Sequence, residues 1–292
     1  NFGEGVHTPG GQAGAVGYLV GEANRGLAYM FHMMNEARIS VGMGATVLGY
    51  TGYLHALQYA KERPQGRPVL EKDPSSPQVP IITHPDVRRM LLAQKAYAEG
   101  GLALTLYCGK LVDEQHTAAT EQERVDAELL LDLLTPIAKS WPSQWCLEAN
   151  SLAIQVHGGY GYTREYNVEQ FYRDNRLNPI HEGTHGIQGL DLLGRKVVMR
   201  DGAALRLFIE RVVETATRGA AVGGDVATWS AQLEESVLDL AGLTGELWGS
   251  GEFDAVLANA TTYLEAFGHV VLAWMWLEQA IVASAESGDF YA

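Results

Sequence analysis

At 292 residues, 47% hydrophobic and 19% charged, the chain is long enough for large cores and about two domains, and its composition excludes a disordered protein. Its formal net charge of −14, from 35 acids against 21 bases, argues against nucleic acid or an anionic membrane as a partner. Cys108 and Cys146 lack C-x-x-C spacing, so neither a metal site nor a disulfide framework is expected, and a reducing compartment fits.

The chain opens on NFGEGVHTPGGQAG, glycine-rich and without Met, so we expect an upstream portion. Residues 15–20, AVGYLV, read as a β strand. Residues 26–61 hold no proline and repeat apolar side chains at helical spacing, which predicts one helix of roughly 52 Å at 1.5 Å per residue. Gly42, Gly44, Gly49 and Gly52 cost it propensity yet permit close packing, and Pro64 and Gly66 stop it. Pro68, Pro74, Pro77 and Pro80 make 66–82 a loop. A second helix is predicted over 86–116, a polar turn over 117–120, and a third helix over 121–156, kinked or divided by Pro136 and Pro142.

Shorter helices are predicted over 166–173 and 184–199, with Glu182 at the loop-to-helix junction between them. Further helices are expected over 202–217 and 225–247, separated by Gly223 and Gly224. A last helix follows 249–251, and in it Phe253, Val256, Leu257, Ala260, Leu264, Phe267, Val271, Trp274, Leu277 and Ile281 mark one wide buried face. Its most apolar run, 270–277, is cut by Glu278 and is too short to span a bilayer. No basic-then-apolar leader begins the chain, so the cytoplasm is the expected compartment. Long helices with short turns predict a mainly α fold, an up-down bundle with a C-terminal helical extension and a short β remnant at the N-terminus.

The most informative stretch is 155–188, QVHGGYGYTREYNVEQFYRDNRLNPIHEGTHGIQ. Gly158, Gly159 and Gly161 permit positive φ and close approach of a phosphate-bearing ligand, although such a cluster is commonly only a helix-ending turn. Glu182 before Gly183 is commonly a solvated residue. Residues 181–185, HEGTH, satisfy the H-E-x-x-H zinc pattern, which needs both histidines on one helical face. Pro179 upstream, with Gly183 and Gly186 weakening any helix there, argues against that reading, and no metal ligand set is expected.

The segments QVHGGYGY and HEGTHGIQ, together with Met34–Arg38, Arg63, Gln65–Arg67 and His84–Pro85 in that order, resemble the C-terminal half of acyl-CoA dehydrogenases from about residue 14 to residue 200. The helices beyond resemble the additional C-terminal domain of a longer subgroup. The resemblance implies residues 1–24 as the end of a β domain, 25–200 as the family's C-terminal bundle and 201–292 as the extra helical domain. It implies FAD-dependent α,β-dehydrogenation of an acyl-CoA thioester, with Glu182 as the base for the α-proton. Some relatives carry the base immediately before the arginine matching Arg38, and here that position is Ala37.

By the same resemblance, Asn35, Glu36, Ala37, Arg38 and Gly183 line the acyl-CoA site. Arg63, Gln65, His84, Gln155, Val156, His157, Gly158, Gly159, Thr184, His185 and Gly186 contact FAD, some of them across a subunit interface. A homodimer or homotetramer is therefore implied, with an electron-transferring flavoprotein as acceptor. The phenylalanine usual in the loop after Arg63 is absent from PQGR, which puts the adenine contacts there in question. An acyl-CoA oxidase, an inactive helical assembly module and a zinc hydrolase are the competing readings. The longer subgroup points to short or unusual thioesters, such as a methylthio-substituted propionyl-CoA.

Overall fold

The structure, a computed structural model, describes residues 3, 9–15 and 17–286. Contacts divide the chain into two units, residues 1–36 and 37–292. In the first, a 3-10 turn at Pro9–Gly11 is followed by α1 (Gly26–His32) and the start of α2 (Met34–Glu62). The Glu22 N–H donates to the Tyr29 hydroxyl at 3.0 Å. The strand expected over 15–20 does not form among the described residues; a strand needs a partner for its backbone groups, and the β pairing described is one isolated bridge, Pro64 with Pro80. The single helix expected over 26–61 is interrupted at Met33, whose N–H reaches back three residues to the Met30 carbonyl instead of four.

In the second unit the bundle is α2, α3 (Pro85–Thr117) and α4 (Glu121–His157). Pro85 opens α3 at its first turn, where a missing N–H costs nothing. Thr120 and Glu123 form a reciprocal capping box at the start of α4. Helices α2 and α4 run side by side in the same direction. A Cβ on Gly49 would lie 2.7 Å from the Cys146 Cβ, one on Gly52 would lie 2.5 Å from the Asn150 side chain, and Tyr59 stacks on His157 at 4.3 Å. Glycine is what lets the two backbones approach.

Pro136 and Pro142 do not divide α4, which continues through both. The helix is buried on nearly all sides there, from Leu129 to Ser143, and tertiary packing overrides the local penalty.

Beyond α4, a 3-10 turn at Gly158–Tyr162 leads to α5 (Val168–Asn175), α6 (His185–Asp191) and a π-turn at Leu192–Lys196 that continues it. Arg200, Asp201 and Gly202 have φ of 48°, 54° and 79°, a left-handed corner before the body of α7 (Met199–Val222). Helices α8 (Gly224–Gly249), α9 (Phe253–Ala258) and α10 (Ala260–Ser284) complete the chain. One core runs across 200/201, joining Leu133, Leu134 and Ile137 to Phe208, Phe267 and Trp274. Against the expectation from 270–277, α10 as a whole is long and apolar enough, by length and composition, to cross a membrane. In this fold Tyr263, Phe267, Val271 and Trp274 on it are buried in that core.

Candidate active site

Glu182 stands between α5 and α6, exposed, with φ of +54°, and Gly183 follows at +94°. Two consecutive left-handed residues make a tight turn, which glycine accepts and glutamate resists. Hydrogen bonds hold it from both sides. Gln188, fully buried on α6, donates its amide to the Glu182 carbonyl at 2.9 Å. Lys139, fully buried on α4, donates to the carbonyls of Gly183 at 2.5 Å and Asn178 at 2.8 Å.

Arg38 near the start of α2 pairs with Asp191 of α6 at 2.7 Å, both largely buried. Burial, with the nearby Arg38 guanidinium adding to it, pushes the Lys139 ammonium down to about 8, while Glu182 acts the other way. Ser140 Oγ and His185 Nδ1 share a hydrogen bond. Burial, followed by Lys139 and Arg176, lowers the His185 pKa below its ordinary value. Arg38, Gly183, His185 and Glu182 are thus brought together around Lys139. Thr184 is exposed at the α6 N-cap position without a side-chain cap bond, and Gly186 has open space beside it. Ala37 adjoins Arg38, whereas Asn35 and Glu36 belong to the first unit.

The other expected residues gather at the far ends of α2 and α4. The Arg63 guanidinium lies over the Tyr160 ring at 5.3 Å, and its Nε is buried without a partner among the described residues. His84 Nε2–H donates to the Gln65 carbonyl at 2.8 Å, tying the 64–84 loop together. His157 Nδ1–H donates to the Ala153 carbonyl at 2.8 Å, and burial lowers the pKa of that imidazole. Gln155, Gly158 and Gly159 are exposed and Val156 is buried. Gly158, at φ +61°, and Gly159 have nothing within 4 Å of where a Cβ would lie. Lys139 and His157 are eighteen residues apart on α4, about 27 Å at 1.5 Å per residue. Apart from Asn35 and Glu36, the expected site residues therefore form two clusters, one where the start of α2 meets the middle of α4 and one at the C-terminal ends of both helices.

H-E-x-x-H needs both histidines on one helix, but α6 begins only at His185, while His181 Nδ1–H donates to the Leu177 carbonyl. Among the described residues no group of three His, Cys, Asp or Glu side chains could hold a metal ion.

Sequence reasoning missed Lys139, Ser140, Asn178, Gln188 and Asp191. For Lys139 a signal existed: it is the lone cation in LLTPIAKSWP, an otherwise apolar or uncharged run.

The fold and the segment around Glu182 define a class. Residues 24–197 match the family described as "Acyl-CoA dehydrogenase, C-terminal domain", and residues 208–292 match "Acetyl-CoA dehydrogenase C-terminal like". The chain belongs to the acyl-CoA dehydrogenase family. Among relatives, it is 40% identical over 277 residues to 3-methylmercaptopropionyl-CoA dehydrogenase of Ruegeria pomeroyi, covering 93% of this chain and 46% of that protein. It is 37% identical over 283 residues to the broad-specificity linear acyl-CoA dehydrogenase FadE5 of Mycobacterium tuberculosis, again 93% of this chain and 46% of that protein. The chain thus spans about half the length of the curated relatives it matches. Caenorhabditis elegans ACDH-11, solved in complex with C11-CoA, shares the fold with a TM-score of 0.73 at 19% identity, over 90% of this chain and 42% of that one.

Proposed function

We propose that the protein carrying this chain is an FAD-dependent acyl-CoA dehydrogenase in which Glu182 removes the α-proton of the thioester. The observation that carries the reading is the exposed Glu182 carboxylate on a turn fixed by Lys139 and Gln188, within a chain of this family. The residues fit the cofactor. Arg63, stacked over Tyr160, offers a buried Nε without a partner among the described residues, and exposed Gly158 and Gly159 directly precede that tyrosine, a donor set suited to the phosphates of a dinucleotide.

FAD, when bound, supplies uptake of the β-hydrogen as hydride. The chain supplies the rest. Glu182 takes the α-proton, the Glu182 backbone N–H donates to the thioester oxygen as negative charge builds there, and Arg38 lines the acyl-CoA pocket. Thr184, His185 and Gly186 would hold the flavin ring, whereas Arg63, Gln65, His84 and 155–159 would hold the phosphate and adenine end. With the two clusters about 27 Å apart along α4, one subunit's Glu182 and its own Arg63 serve different flavins. The protein then works as a homodimer or homotetramer, in the cytoplasm, passing electrons to an electron-transferring flavoprotein. A short or methylthio-substituted acyl-CoA is the substrate we assign.

Mixing tests the shared site. Glu182→Gln and Arg63→Ala subunits, each inactive alone, should regain about a quarter of wild-type activity after random re-association into two-fold dimers. No recovery on mixing contradicts a site shared between subunits. Anaerobic addition of the acyl-CoA should bleach the flavin band, and an unchanged band contradicts the dehydrogenase reading. Fast oxygen consumption in place of flavoprotein reduction would point to an oxidase.

A further inference from the structure

A buried ammonium is costly to keep unless its hydrogen bonds are satisfied, and Lys139 has no exposed surface. None of the described ion pairs includes it. Its described hydrogen bonds go to two main-chain carbonyls, those of Asn178 and Gly183. Those carbonyls bracket the segment that carries Glu182.

The anchor behind this clamp is a line of buried amides. The Asn178 side chain donates to Asn175 Oδ1 at 2.9 Å, Asn175 donates to Asn150 Oδ1 at 2.7 Å, and Asn150 donates to the Leu48 carbonyl of α2 at 2.8 Å. Asn150 and Asn175 are fully buried. The line ties α2, α4 and α5 to the strand of chain that Lys139 grips. On the other side of the turn, Gln188 holds the Glu182 carbonyl. Without these bonds, a glutamate with φ of +54° has little reason to stay in the left-handed region.

We propose that Lys139 is a positioning residue for Glu182, pinning the carbonyls on either side of it so that its carboxylate projects from a fixed left-handed turn. The inference rests on the reading of Glu182 as the base. It adds a residue that touches neither substrate nor flavin and acts through the Glu182 backbone. The clamp is selective: Lys139 reaches the turn through carbonyl oxygens and leaves the carboxylate to the substrate. A base displaced by about 1 Å loses about 100-fold in rate.

The test uses the holoenzyme that carries this chain, with Lys139→Met, Lys139→Ala and Glu182→Gln prepared alongside wild type. Amide exchange of 179–188, measured without substrate, should quicken at least about tenfold in Lys139→Met while α8 and α10 stay protected. Its kcat should fall about 100-fold with little change in KM, because the lost interaction orients the base rather than binding substrate. Propylammonium added to Lys139→Ala should restore part of kcat, which a merely structural defect would not allow. If Lys139→Met does not fold, Lys139→Arg replaces it, and the same exchange and kcat changes are expected from its displaced donors. Unchanged exchange in 179–188, or unchanged kcat, overturns the proposal. Turnover surviving in Glu182→Gln instead overturns the base assignment, so the two failures are distinguishable.

Discussion

Gly42 of α2 and Ala138 of α4 meet backbone to backbone: a Cβ on Gly42 would fall on the Ala138 carbonyl oxygen. That oxygen is the one Pro142, having no N–H, leaves without its helical donor. The bare glycine Cα lets α2 close over it, which places Arg38, one turn earlier, beside Lys139.

Gly42→Ala should therefore destabilise the protein, near the upper end of the about 1–3 kcal/mol typical of overpacking, despite alanine's better helix propensity. Gly44 on the same helix is exposed, with nothing within 4 Å of where a Cβ would lie. Gly44→Ala should stabilise by about 0.5–1 kcal/mol. Urea midpoints of the two variants should move in opposite directions, and parallel shifts would refute the close approach.

Asp191 answers the Arg38 charge at 2.7 Å, and the two side chains are only 8% and 13% exposed. Removing one partner of such a pair strands the other. Asp191→Ala should cost about 3 kcal/mol, whereas the double change Arg38→Met with Asp191→Leu should recover much of the loss. A double-mutant cycle that gives no coupling energy would show the pair to be incidental.

Burial holds the pKa values of His157, His185 and His269 below the ordinary imidazole value. The folded state therefore binds fewer protons than the unfolded one just below pH 6.5, and stability rises with pH in that window. Stability should be full above about pH 6.5 and fall as the pH drops from there through the lowered folded values. Unfolding free energies at pH 7.5 and 5.5 check this, and replacing His157, His185 and His269 together by Gln should flatten the difference. A pH slope that survives the triple substitution would place the acid sensitivity elsewhere.

Much of the helix layout was legible. Helices α3, α4, α7 and α8 fall where proline and glycine punctuation predicts them, since those residues act on the local backbone. The break at Met33 was hidden because nothing in its neighbours forbids a helix. Among the described residues no strand forms over 15–20, for the opposite reason: strand pattern without a pairing partner makes no sheet. Pro136 and Pro142 do not divide α4, because a buried helix is held by its neighbours rather than by its own propensity.

At the site, the Glu182 segment and the glycine turn could be read from short motifs. Lys139, Gln188 and the Asn150, Asn175 and Asn178 line could not, since each matters through contacts between segments far apart in sequence. The lone lysine in an apolar run was the one visible clue to them.

Glu182 as the base is open to test by a single substitution. In the FAD-loaded protein, Glu182→Gln should keep the flavin absorption band and substrate binding while acyl-CoA turnover falls by about 100 to 10,000-fold, the usual worth of a general base. Turnover near the wild-type rate in that variant would rule Glu182 out as the base.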